Sequence, residues 1–145
     1  MAEGDRYRPR PLPLGDLIEA LVKEHLAMKE GLRRARYAAG RKSFDEAGAE
    51  LRKVDPIFRQ HIADEESQIL GLLIRRLGVK GAADEIRVFQ QHRPIYQLMK
   101  KVSELAALSS AELEGRQGEL EELFELHTKA EEASVFPRAK GLSRA

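Results

Sequence analysis

The sequence predicts an all-α protein, an up-down-up-down antiparallel four-helix bundle. Three observations lead there. Four long stretches place apolar residues at alternating three- and four-residue spacings, the signature of one buried helix face. The links between those stretches are short, which makes neighbouring helices antiparallel. The composition, 42% hydrophobic and 34% charged with no Trp, suits long amphipathic helices.

Residues 1–13 interleave Arg6, Arg8 and Arg10 with Pro9, Pro11 and Pro13. Such a segment cannot hold a helix and has little to bury, so it reads as a mobile or extended tail. Leu12 and Leu14 are its expected anchors. The bundle then spans 14–137. Helix 1 is predicted over 15–38, with Asp16 near its start and Gly40 as its stop. Its seam is Leu14, Ile18, Leu21, His25, Met28, Leu32 and Ala35.

Helix 2 is predicted over 43–77. Ser43 and Glu46 form a capping-box pattern, and Gly78 is a C-terminal stop. The seam runs Ala47, Leu51, Val54, Phe58, His61, Glu65, then Ile69 and Leu72. Pro56 predicts a kink, or a split at Asp55. Helix 3 is predicted over 82–107, through Ile86, Phe89, His92, Tyr96, Met99 and Val102, with a kink from Pro94 just after His92. Helix 4 follows Ser109-Ser110, where Ser109 and Glu112 fit a second capping box. Its inner face is Leu113, Leu120, Phe124, His127, Glu131 and Val135, and Pro137 is its expected end. Residues 138–145 read as a short, basic, loose tail.

Composition excludes several function classes. Without Cys there are no disulfides, thiolate metal sites, iron–sulfur clusters or Cys nucleophiles. The formal net charge of +1 gives no general pull toward nucleic acid or membrane. No apolar run reaches the roughly 18 residues of a membrane span. A soluble, cytoplasmic protein is the expectation. The Arg33-Arg34-x-Arg36 and Arg75-Arg76 clusters read as solvated helix ends, where cations suit the dipole. There is no phosphate loop or nucleophile elbow.

One constellation remains. His61-Ile-Ala-Asp-Glu65 and His127-Thr-Lys-Ala-Glu131 each place a histidine and a glutamate one helical turn apart on one face. The other two histidines, His25 and His92, fall on the seams of the remaining helices. A lone seam histidine is usually a hydrogen-bonded core residue. A seam glutamate is harder to explain that way, because burying an ionised carboxylate costs several kcal/mol unless a cation meets it. No Lys or Arg occupies a matching seam position. Imidazole and carboxylate are ligand types that iron, manganese and zinc accept. The expectation is that these six residues meet inside the bundle and hold two metal ions.

Ferritin-like bundles carry Glu on two helices and Glu-x-x-His on the other two. Here the order is His on two helices and His-x-x-x-Glu on the others. The chain resembles the hemerythrin HHE cation-binding domain family. The resemblance rests on Glu24-His25, His61-x-x-x-Glu65-Glu66, Gln91-His92, and His127-x-x-x-Glu131-Glu132 running into Val135-Phe136-Pro137, and covers about residues 14–137. It implies a non-haem di-iron centre with two iron ions, bridged by an oxo or hydroxo group and by carboxylates. By that resemblance His25, His61, His92 and His127 are terminal ligands, and Glu65 and Glu131 bridge. Glu66 and Glu132 inherit no ligand role and belong at the surface or beside the site.

There is one departure. Oxygen-carrying hemerythrins have a further histidine, in a His-x-x-x-His pair on the third helix. Here the positions one turn either side of His92 are Val88 and Tyr96. The centre is therefore more open than a simple carrier's. Tyr96 is either a core tyrosine with a hydrogen-bonded hydroxyl or a phenolate ligand in place of the missing imidazole.

The resemblance implies binding of oxygen, or of a related small ligand such as peroxide or nitric oxide, with a redox partner protein as a compatible partner. Iron sensing or delivery, turnover of peroxide or nitric oxide as an enzyme, and a metal-free structural bundle remain open beside it.

Overall fold

The computed structural model describes residues 7–143. The expected mobility of residues 1–6 and 144–145 lies outside the described residues. Among the described residues, seven α-helices and two wide, π-helical turns form four rods. The first is α1 (Leu14–Gly40). The second is α2 (Phe44–Asp64), π1 (Glu65–Ile69) and α3 (Leu70–Gly81). The third is α4 (Ala83–Gln90) and α5 (His92–Ala107). The fourth is α6 (Leu113–Ala130), π2 (Glu131–Val135) and α7 (Phe136–Ser143). Helix α1 packs on α2, α2 on α5, α5 on α6, and α6 back on α1, which closes the bundle. No helix among the described residues is long and apolar enough to cross a membrane.

The links obey backbone chemistry that the capping-box patterns did not foresee. After α1, Lys42 adopts φ 60°, Ser43 N–H donates to Ala38 O and Lys42 N–H to Ala39 O. That is a Schellman closure, so Gly40 stays inside the helix and Lys42 makes the left-handed turn. After α5, Ser109 adopts φ 52° and Ser109 and Ser110 repeat the same two bonds to Ala106 and Leu105. Neither Ser43 nor Ser109 acts as a side-chain cap; Ser110 Oγ instead accepts from Glu112 N–H, and α6 starts at Leu113. Gly78 does end the second rod's regular helix, at φ 72°. Another glycine is needed for a close approach. A Cβ on Gly31 would lie 2.5 Å from Val54 Cγ2, so α1 and α2 touch there without a side chain between them.

The three proline expectations fare differently. Helix α2 runs through Pro56 without splitting. The third rod breaks at Gln91, before His92 rather than after it, because Pro94 cannot donate to the carbonyl of Gln90 and its ring crowds that carbonyl. Pro137 does not end the fourth rod. Phe136 N–H reaches back five residues to Glu131 O, and this widened turn delivers Pro137 into the first turn of α7, where a missing donor is tolerated. Residues up to Ser143 are therefore helical rather than a loose tail.

Of the two expected anchors of the N-terminal segment, Leu14 packs against a core cluster. Leu12 is exposed. Arg10 instead donates from its backbone N–H and its Nε to Asp64, and its Nη2 lies 2.9 Å from Glu24. Gln60 and Gln68 donate to the carbonyls of Arg8 and Arg10. The result is an extended strap across α1 and the second rod.

Two apolar clusters fill the bundle. One contains Met28, Leu32, Leu51, Phe58, Ile95, Met99, Leu120 and Phe124. The other contains Leu17, Leu21, Ile69, Leu73, Phe89, Val135 and Phe136. On every rod the change from one cluster to the other falls at a histidine. The π turns shift the seam by a residue: Leu73, not Leu72, is buried after π1. In α4 the buried positions are Glu85 and Phe89, with Ile86 only partly covered. Ile95, rather than Tyr96, takes the inner place after His92.

Candidate metal centre

The plane between the two apolar plugs is polar. His25, His61, Glu65, His92, His127 and Glu131 lie there, none more than 4% exposed. The six residues singled out in the sequence are thus brought together. Their placement follows from local structure. His61 and His127 each lie in the last turn of a regular α segment, and Glu65 and Glu131 each open a π turn. The four-residue spacing keeps each pair on one face, while the extra residue in the π turn returns Ile69 and Val135 to the core.

Their donor atoms form two groups. One is His25, His61, Glu65 and Glu131; the other is Glu65, His92, His127 and Glu131. Both glutamates belong to both groups. His25 Nε2 lies 3.1 Å from His61 Nε2 and 3.0 Å from Glu131 Oε1. His61 Nε2 is 3.4 Å from Glu65 Oε1. In the second group His92 Nε2 is 2.9 Å from Glu65 Oε1, and His127 Nε2 is 3.3 Å from Glu131 Oε1. Two donors at about 2.1 Å from one ion and at right angles to each other are roughly 3 Å apart. The spacing is that of neighbouring ligands on a metal.

The unsatisfied atoms point the same way. Glu65 Oε2, Glu131 Oε2 and His127 Nε2 are buried without a hydrogen-bond partner. Leaving such atoms unmet costs about 1–3 kcal/mol each, more when charged. A cation in each group satisfies all three. The residues present fit metal ions, and these groups could hold them.

Each imidazole is held from behind. His25 Nδ1 donates to Glu132 (2.7 Å), His61 Nδ1 to Glu24 (2.9 Å), His92 Nδ1 to Glu66 (2.9 Å) and His127 Nδ1 to Gln91 (2.9 Å). A carboxylate only accepts, so Nδ1 carries a proton, which leaves Nε2 to offer its lone pair to any metal ion bound inside. The four contacts form a ring. Each rod supplies, from the residue beside its own inner-site residue, the partner for the histidine of the next rod. Glu66 and Glu132 thus lie beside the site as expected, while the roles of Glu24 and Gln91 were not foreseen. Their only sequence signal is adjacency to His25 and His92.

No protein-family model, curated protein or solved structure matches this chain. The site speaks through its own geometry.

The electrostatics agree with that geometry. Burial alone would depress the His61 imidazole, but Glu65, Glu131 and the hydrogen bond with Glu24 raise it well above its ordinary value. His92 is likewise raised against burial, by Glu131, Glu65 and Glu66. Burial would push Glu131 up, yet its neighbours Glu65, His127, His25 and His61 hold it well below the usual carboxylate range. This is a cage that attracts positive charge, whether a proton or a metal ion.

Aromatic rings wall it off. Phe136 stacks on His25 with centroids 5.8 Å apart, and Phe89 on His92 at 5.3 Å. Phe124 and Phe58 meet the same two rings edge-on. The hydroxyl of Tyr96 accepts from Arg59 Nη2 at 2.9 Å, and the ring is partly buried against the first core cluster, the arrangement of a hydrogen-bonded core tyrosine. Val88 is apolar and packs against the second core cluster.

Proposed function

We propose that this chain is a hemerythrin-like, non-haem di-iron protein whose centre binds oxygen or a related small ligand such as peroxide or nitric oxide. The observation that carries the reading is the sharing of Glu65 and Glu131 between two four-residue donor groups. Two carboxylates common to two neighbouring sites are what a bridged pair of ions needs. His25 and His61 serve one position, His92 and His127 the other. Iron bound there would supply redox electrons and open coordination positions to the ligand.

The chain's own residues do the rest. The four Nε2 atoms are neutral donors kept in one tautomer by Glu132, Glu24, Glu66 and Gln91. Phe58, Phe89, Phe124 and Phe136 exclude bulk water. The apolar clusters on both sides fix the rods and hence the donor spacing. With Tyr96 turned to Arg59 and Val88 in place of a further histidine, four imidazoles and two bridging carboxylates leave positions for a small ligand.

The test is optical. Protein reconstituted anaerobically with ferrous iron is titrated with oxygen, peroxide and nitric oxide. A visible charge-transfer band that saturates at about one ligand per iron pair is expected. A spectrum unchanged by all three ligands overturns the ligand-binding reading.

A further inference from the structure

The ring behind the four histidines is uneven. His25, His61 and His92 donate to carboxylates, whereas His127 donates to the neutral amide of Gln91. An imidazole backed by a carboxylate is the more basic and stronger metal donor, and changes in this outer shell alter metal affinity by about 10–100-fold. His127 is thus the weakest of the four.

A second observation falls on the same side. A surface cavity of about 430 Å³ is lined by Glu66, Leu70, Phe89, His92 and Arg93. His92 is the most exposed ligand candidate, at 4%, while His25 is at 0%. Phe136, the first residue after π2, stacks on His25, whereas the first residue after π1 is the smaller Leu70. A third observation concerns the strap. Arg10 ties Glu24 and Asp64 together on the His61 side.

We propose that the two metal positions are unequal, and that the one held by His92 and His127 is the exchange position, through which metal ions enter and leave past Glu66 and Leu70. Gln91 is the positioning residue that sets this, acting through His127. The inference rests on the two-ion reading. It adds that the ions differ in lability, and says which residues make them differ.

The experiment uses the full chain loaded with cobalt(II), which is spectroscopically visible and slow to oxidise. Bound metal is counted first. An excess of chelator is then added and release is followed by absorbance. About two ions per chain, leaving in two phases of equal amplitude whose rates differ by tenfold or more, is the expected result. Gln91→Glu gives His127 a carboxylate and should slow the fast phase about tenfold. Gln91→Leu removes the acceptor and should quicken it, with the slow phase unchanged in both. A merely structural role for Gln91 would not move the rate in opposite directions. Leu70→Phe puts a larger side chain into the cavity beside His92, and should slow the fast phase even where the Gln91 variants fold poorly. Two bound ions leaving at one common rate overturn the inequality and leave the two-ion reading intact. A fast phase indifferent to all three substitutions overturns the assignment to the His92–His127 position. About one ion or fewer bound at the outset overturns the two-ion reading, and this inference with it.

Discussion

The first two rods and the last two are near-copies built on one plan. His25 and His92 stand 67 positions apart (92 − 25), His61 and His127 stand 66 apart (127 − 61), and Glu65 and Glu131 also 66 (131 − 65). The same offset relates Phe58 to Phe124, Ile69 to Val135 and Leu73 to Ala139, all of them buried. Both halves carry a π turn that opens at the glutamate. The halves differ just outside this shared frame. Glu24 faces Gln91 across the comparison, Leu70 faces Phe136, and Ile18 faces Glu85. Donor geometry tolerates no asymmetry, because both glutamates must serve both groups. The layer behind it does, and there the two halves can be given different chemistry.

The largest effects should come from the shared frame, and should be equal in the two halves. Glu65→Ala and Glu131→Ala each remove an oxygen donor from both groups. Each is expected to lower bound metal from about two ions per chain to fewer than one, as measured by elemental analysis. If one variant retained both ions, the glutamates would not be equivalent.

Core truncations come next. Phe58→Ala and Phe124→Ala each empty a fully buried ring site. Each should cost about 3–5 kcal/mol in chemical denaturation of the metal-free protein. A clear difference between them would show that one apolar wall yields and the other does not.

The Ile18–Glu85 difference gives a smaller, one-sided effect. Glu85 is buried, and Arg138 Nη1 donates to both of its oxygens, at 2.5 and 3.1 Å. Arg138→Ala strands that carboxylate and should cost about 1–3 kcal/mol. Glu85→Ile, which makes the second half like the first, should be neutral or stabilising by thermal denaturation. A larger loss for Glu85→Ile than for Arg138→Ala would contradict this ordering. The smallest effect is expected at the strap. Arg10 is about one-third exposed, so Arg10→Ala should cost about 1 kcal/mol and loosen residues 7–13, seen as faster amide exchange there.

The comparison also explains what could be read from the chain before its structure. The four rods and the six inner residues were legible, because alternating three- and four-residue spacing and the His-x-x-x-Glu pairs report one helix face directly. Errors begin where the helix leaves 3.6 residues per turn. After π1 the seam moves from Leu72 to Leu73, a shift no fixed periodicity predicts. The break at Gln91 places Glu85 rather than Ile86 inward, and Ile95 rather than Tyr96. Pro137 looked like a stop because a proline's cost was judged for a regular helix, not for one just widened. Gly40 looked like a stop because glycine favours left-handed backbone, yet Lys42 and Ser109 adopt it. The outer ring was hidden for another reason. Glu24 and Gln91 act on the histidine of a neighbouring rod, and such contacts have no period along the chain. Arg10, reaching Glu24 and Asp64 from an irregular segment, is a further case.

The central claim is that two ions sit between Glu65 and Glu131. Iron content after anaerobic reconstitution with ferrous iron and removal of excess metal tests it most directly. About two irons per chain are predicted, with the count falling when either glutamate is replaced by alanine. One iron or fewer per chain, or a count indifferent to both glutamates, would contradict it.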